Sequence, residues 1–233
     1  MLTTLARFVR DSDSRLLKIV RGVALPVLRL VKTVLLWIEE MVLNIRTSVP
    51  ERSVPAKSDG LLFADNREYA SINFWHTRRM LRVVEPGPDD VVFDLGAGAG
   101  RMVCVAARLD IRKCIGVEIS EKYCDRARQN ARRLRGRKAP IEIVCEDATR
   151  TDLSAGTIFY MFNPFGRDTL AAVVENLQRS LRVHPRRVRI IYVNPVHDEL
   201  LHACSWLIKF DEFHALTGWR VSFWRNRAEE GVQ

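Results

Sequence analysis

Five polar residues each close a short apolar run: Asp94 after Val91-Val92-Phe93, Glu118 after Gly116-Val117, Asp147 just beyond Ile143-Val144-Cys145, Asn163 after Tyr160-Met161-Phe162, and Asn194 after Ile191-Tyr192-Val193. A strand end needs no acid for packing, and acids are seldom buried without a partner. One polar group per strand end therefore reads as a set facing a ligand. A carboxylate has two acceptor oxygens at the separation of vicinal hydroxyls, so Glu118 suits a diol; the competing reading is an acid in the N-cap region before Ser120. Asn163-Pro164 either turns the chain or aims an acceptor oxygen, and for Asn194-Pro195, with His197 nearby, the turn is the favoured reading. Between Leu95 and Met102 runs Gly96-Ala97-Gly98-Ala99-Gly100-Arg101. Glycines at this spacing allow a sharp turn and leave bare main chain against a ligand. A helix starting behind the loop offers unpaired N–H groups to a carboxylate. A dinucleotide loop of the form G-x-G-x-x-G would need a glycine where Arg101 stands.

The elements that must hold these residues alternate between strand and helix, the signature of a parallel α/β sheet. Strands are expected at Val91–Asp94, Cys114–Glu118, Ile141–Cys145, Thr157–Phe162 and Val188–Val193. Helices are expected at Arg101–Leu109, Glu121–Leu134, Asp168–Leu181 and around His197–Ala203. Two last strands, Trp206–Phe210 and Trp219–Arg225, form a hairpin, and the series as a whole is read as five βα units. In such a sheet ligands sit beyond the carboxyl ends of the strands, where the five polar residues fall. Upstream, Asn66–Val84 reads as a helix carrying Tyr69, Phe74, Trp75 and His76, whose aromatics either pack in the core or touch the ligand.

The Asp-x-Gly-x-Gly-x-Gly pattern at Asp94–Gly100 resembles the first motif of class I S-adenosylmethionine-dependent methyltransferases, and the resemblance extends over about residues 66–225. It implies a Rossmann-like fold with a seven-stranded, mostly parallel sheet, a C-terminal antiparallel hairpin, and S-adenosyl-L-methionine as cofactor. The cofactor residues it implies are Tyr69, Asp94, Gly96, Ala97, Gly98, Gly100, Glu118, Ile119, Asp147, Ala148 and Asn163. In this assignment Glu118 takes the ribose hydroxyls, Ile119 the adenine face and Asp147 the adenine amino group, with Glu146 as a competitor. Phe162-Asn163-Pro164-Phe165 resembles the Asn-Pro-Pro-(Tyr/Phe) motif of enzymes that methylate amide or amine nitrogens, with Phe165 in the place of the second proline. A related Asn-x-Phe arrangement occurs in non-SET lysine methyltransferases. The resemblance implies catalytic roles for Asn163, Pro164 and Phe165, with the aromatic on the substrate. Proline at 164 is expected to hold Asn163 in an extended backbone. The expected function is methyl transfer to a nitrogen of a protein or small molecule. The alternatives are RNA or DNA methylation and a membrane-associated binding module without catalysis.

The chain has 233 residues, a formal charge of +9 and 47% hydrophobic residues, which excludes wholesale disorder and suits one sizeable domain with an extension. Its positive charge points to an acidic partner or to a solvated surface. The basic block Arg126, Arg128, Arg132, Arg133, Arg135, Arg137 and Lys138 has no exposed aromatics beyond Tyr123, so a solvated face is favoured over a nucleic-acid groove. Five cysteines without a CxxC pair read as core residues in a reducing compartment. No histidine cluster suggests a metal. Residues 1–47 read as an amphipathic helical extension, 48–65 as a linker and 66–233 as the methyltransferase domain. From Arg15 to Ile45 polar residues recur at about the helical period of 3.6, with Pro26 as a kink. Charges interrupt it too often for a transmembrane span. Packing on the domain or on a second subunit, an in-plane membrane anchor and a targeting peptide remain open for this segment. A cytoplasmic location, with peripheral membrane contact under the second of these, is the expectation.

Overall fold

The structure, a computed structural model, describes residues 30–31, 33–47, 74–214 and 220–227. Tyr69, the linker at 48–65 and the expected helical residues 66–73 lie outside the described residues. The strands are β1 (Val91–Leu95), β2 (Lys113–Glu118), β3 (Ile141–Cys145), β4 (Ile158–Phe162), β5 (Arg189–Val193), β6 (Leu207–His214) and β7 (Arg220–Asn226). They form one sheet in the order β3-β2-β1-β4-β5-β7-β6. The first five are parallel, and β7 runs antiparallel between β5 and β6. The expected Rossmann-like sheet with its closing hairpin is therefore present.

The helices are α1 (residues 33–43, with 30 and 31 also helical), α2 (Phe74–Val83), α3 (Arg101–Ala106), α4 (Glu121–Arg133), α5 (Arg167–Val183) and α6 (Asp198–His202). α3 is shorter than its apolar pattern, because Arg108 and Leu109 N–H donate three residues back, to Val105 and Ala106 carbonyls, and tighten the last turn. Residues 146–157, between β3 and β4, hold only turns, so four βα units are present rather than five. Thr149 N–H and Oγ1 both donate to Asp147 Oδ1 at 2.8 Å, and Arg150 and Thr151 N–H donate to the Asp147 carbonyl. These bonds close a single turn, and no helix follows it before β4.

Strand alternation divides the core in two. Val91, Phe93 and Leu95 of β1 join Phe159, Met161, Ile190, Tyr192 and the α5 residues Leu170 and Leu177 in one buried cluster. Val92 joins Ile158, Tyr160, Ile191 and the α2–α3 residues Met80, Leu81 and Val103 in the other. A sheet buried on both faces explains why these strands read as continuous apolar runs. Leu43 and Ile45, just after the exposed stretch of α1, belong to the second cluster. No helix among the described residues is long and apolar enough to cross a membrane.

Candidate functional site

The carboxyl ends of β1, β2 and β4 meet at the glycine loop. Register places Asp94 opposite Gly116 of β2 on one side and Tyr160 of β4 on the other. After Leu95 the loop folds across the end of β2, with Gly96 and Ala97 N–H both donating to the Val117 carbonyl at 2.9 Å. Gly96 has φ 82°, and a Cβ there would lie 2.5 Å from Pro164 Cβ. Only glycine allows this loop to touch the segment that follows β4. At Gly100, φ 81°, a Cβ would fall 3.0 Å from Ala127 Cβ, so α4 can pack closely behind the loop.

Glu118 sits at the mouth of the loop. Its Oε2 accepts from Gly98 N–H at 2.8 Å, and its Oε1 accepts from Ile119 N–H at 3.0 Å and Ser120 N–H at 2.9 Å. A carboxylate has about four acceptor positions, so one remains, on Oε2. Burial pushes the Glu118 carboxyl above its ordinary range, although these three N–H groups pull the other way. Asp94 is 3% exposed. Burial, with the Glu118 charge adding to it, raises Asp94 from the ordinary 3.8 to about 8. Two carboxyl groups thus stand in a site that disfavours negative charge and would welcome a cationic or donor-rich ligand.

Asp147 is half-buried beyond β3. One of its oxygens is taken by Thr149, and the other accepts no hydrogen bond among the described residues; Glu146 is exposed. Ala148 is buried and Ile119 half-buried. Asn163 follows β4 with φ 39°, in the left-handed region rather than the extended one expected before proline. Asparagine tolerates that conformation, and the turn it makes brings Pro164 onto Gly96. Asn163 is 8% exposed, and its Oδ1 is buried without a hydrogen-bond partner. Asn194 repeats the conformation after β5, with φ 49°. Phe165 is 7% exposed within the α5-side core, which leaves little of its ring for a substrate.

Two supporting residues escaped the sequence reading. Asn130 of α4 donates to the Ala99 carbonyl at 2.8 Å and the Arg46 carbonyl at 3.0 Å, while its Oδ1 accepts from Arg46 N–H at 2.8 Å. It holds the glycine loop against the strap that follows α1. Arg101, where a dinucleotide loop would carry glycine, is 5% exposed. Its guanidinium pairs with Glu39 at 3.1 Å and Glu40 at 3.2 Å, and its Nε donates to Thr47 Oγ1 at 2.8 Å. Glu39 also accepts from Phe74 N–H at 2.9 Å, at the start of α2. Partners 54 and 62 residues away leave no local signal for such a network.

Residues 92–184 match the family described as "Methyltransferase domain". A protein-lysine N-methyltransferase of Saccharolobus islandicus (strain REY15A) is 35% identical over 86 residues, 36% of this chain and 53% of that protein. The match thus spans about half the length of that curated relative. Among solved structures, an RNA methyltransferase from Salinibacter ruber in complex with S-adenosyl-L-homocysteine superposes with a TM-score of 0.50 at 19% identity, over 70% of this chain and 99% of that one. TrmN from Thermus thermophilus gives 0.53 at 18% identity, over 68% of this chain and 50% of that one. At these identities the likeness is one of fold. In the matched sequence and in this architecture, the α/β domain is similar to class I S-adenosylmethionine-dependent methyltransferases.

Proposed function

We propose that the chain is an S-adenosylmethionine-dependent methyltransferase that acts on a nitrogen of a protein or small-molecule acceptor. The observation that carries the nitrogen reading is Asn163 Oδ1, a buried acceptor without a partner on the residue before Pro164, which packs against Gly96 of the glycine loop. An unpaired buried acceptor costs about 1–3 kcal/mol, which an N–H of the acceptor substrate would recover. The cofactor, when bound, supplies an electrophilic methyl group on a sulfonium. Everything else is the work of this chain. Glu118 keeps one acceptor position for a ribose hydroxyl, the second oxygen of Asp147 serves the adenine amino group, and Asp94 faces the cationic amino-acid end.

A nitrogen nucleophile must turn its lone pair, not its N–H, toward the methyl carbon. Asn163 Oδ1 and the Pro164 carbonyl are acceptors that hold those hydrogens aside. Neither is a strong base, so their contribution is orientation. The lysine specificity named for the relative from Saccharolobus islandicus agrees with a nitrogen acceptor. Incubation with methyl-labelled cofactor and lysate, followed by separation into protein, small-molecule and nucleic-acid fractions, tests the reading. Label in protein or small molecules, stable to acid and base as N-methyl groups are, is the expected result. Label in nucleic acid would replace the acceptor class, and no transfer to any fraction would favour a binding module.

A further inference from the structure

α1 is folded against its own amphipathicity. Its inward stripe is Leu36, Glu39, Glu40 and Leu43, and the two acids are held by Arg101. Facing outward are Val34, Leu35, Trp37, Ile38, Met41 and Val42, which are 40–62% exposed. A contiguous patch of large apolar side chains, tryptophan included, marks an interaction surface rather than chance exposure.

The neighbourhood of the patch indicates what covers it. Arg135 N–H donates to the Leu43 carbonyl at 3.0 Å, and Asn44 Nδ2 donates to the Arg133 carbonyl at 3.0 Å. These bonds fasten the end of α1 to the basic end of α4. There Arg46, Arg132, Arg133, Arg135, Arg137 and Lys138 are all exposed. No acid occurs in the sequence between Asp125 and Glu142, and none on the outward face of α1. Upstream, the sequence from Ser14 to Ile38 adds Arg15, Lys18, Arg21, Arg29 and Lys32, again without an acid. Two copies of the chain meeting across this face would bring basic clusters together with no acids to pair them. An anionic lipid surface satisfies both halves: acyl chains take the apolar residues and headgroups take the bases.

We infer that α1 and the basic end of α4 form one peripheral docking surface for anionic lipid bilayers. The test is co-flotation of the full chain with vesicles of phosphatidylcholine, with and without phosphatidylglycerol. At low salt, binding to the anionic vesicles should exceed binding to the neutral ones at least about tenfold, and it should weaken as salt screens the headgroups. Trp37→Glu with Met41→Glu should reduce the bound fraction at least about tenfold while leaving the melting temperature unchanged, since both side chains already face water. Arg132→Glu with Arg135→Glu, which leaves α1 intact, should weaken binding several-fold. No flotation with anionic vesicles, or flotation indifferent to both pairs of substitutions, overturns the inference. A dimer in sedimentation that Trp37→Glu with Met41→Glu dissolves would also overturn it, giving the face to a second copy.

Discussion

Asp94 is a carboxyl group held where ionisation is costly. An unfolded aspartate titrates near 3.8 and this one near 8, so between those values the native state holds a proton that the unfolded chain has lost. The sign follows directly: stability falls as pH rises through that window, and the penalty is complete above it. For this one group the slope is about 1.4 kcal/mol per pH unit. Asp94→Asn carries no charge at any pH, so urea melts of the variant should show a flatter profile between acidic and mildly alkaline buffer; a profile parallel to wild type would contradict the assignment. A cation arriving beside Asp94 favours its ionised form. Binding of S-adenosylmethionine near neutral pH should therefore release a proton, and the heat of binding should vary with the ionisation enthalpy of the buffer. Glu118 contributes differently, through acceptor geometry. Hydrogen bonds to a charged group contribute about 1.5–3 kcal/mol, so Glu118→Ala should weaken cofactor binding at least about tenfold. Calorimetry giving an unchanged affinity would remove Glu118 from the site.

The elements are held in place by polar contacts that run between them. Arg101 joins the start of α3 to α1 and, through Glu39, to the start of α2. Arg101→Ala would leave two acids facing each other in a buried site, and breaking a buried pair costs about 3–5 kcal/mol. Denaturant melts should show that loss, and replacing Glu39 and Glu40 with glutamine in the same variant should recover much of it. A variant within about 0.5 kcal/mol of wild type would mean the pair is not structural. These contacts also mark the limit of what the sequence discloses. Strand positions were legible because burial on both faces leaves an uninterrupted apolar run, and the glycine loop because its spacing is local. Arg101 and Asn130 were not legible, since their partners come from distant segments. The left-handed backbone of Asn163 ran against the usual effect of a following proline; contact between Pro164 and Gly96, two segments apart in sequence, goes with it.

At the scale of the whole molecule, strand order brings the site together. Because β4 lies beside β1, and β2 on its other side, the loop after β1 meets Glu118 and the Asn163-Pro164 turn at once. The acids proposed to face the cofactor and the partnerless acceptor come from different strands, so the proposed binding and transfer roles can be separated by substitution. The central claim is that Asn163 orients the acceptor nitrogen and does little to hold the cofactor. Its most direct test is single-turnover methyl transfer to the labelled acceptor by wild type and Asn163→Ala, with cofactor affinity measured on the same preparations. Nearly unchanged affinity with transfer slowed by roughly 2–4 kcal/mol, the loss typical of one preorganised polar group, is the predicted result. Transfer at the wild-type rate in Asn163→Ala would contradict it and reduce the Asn-Pro segment to a turn.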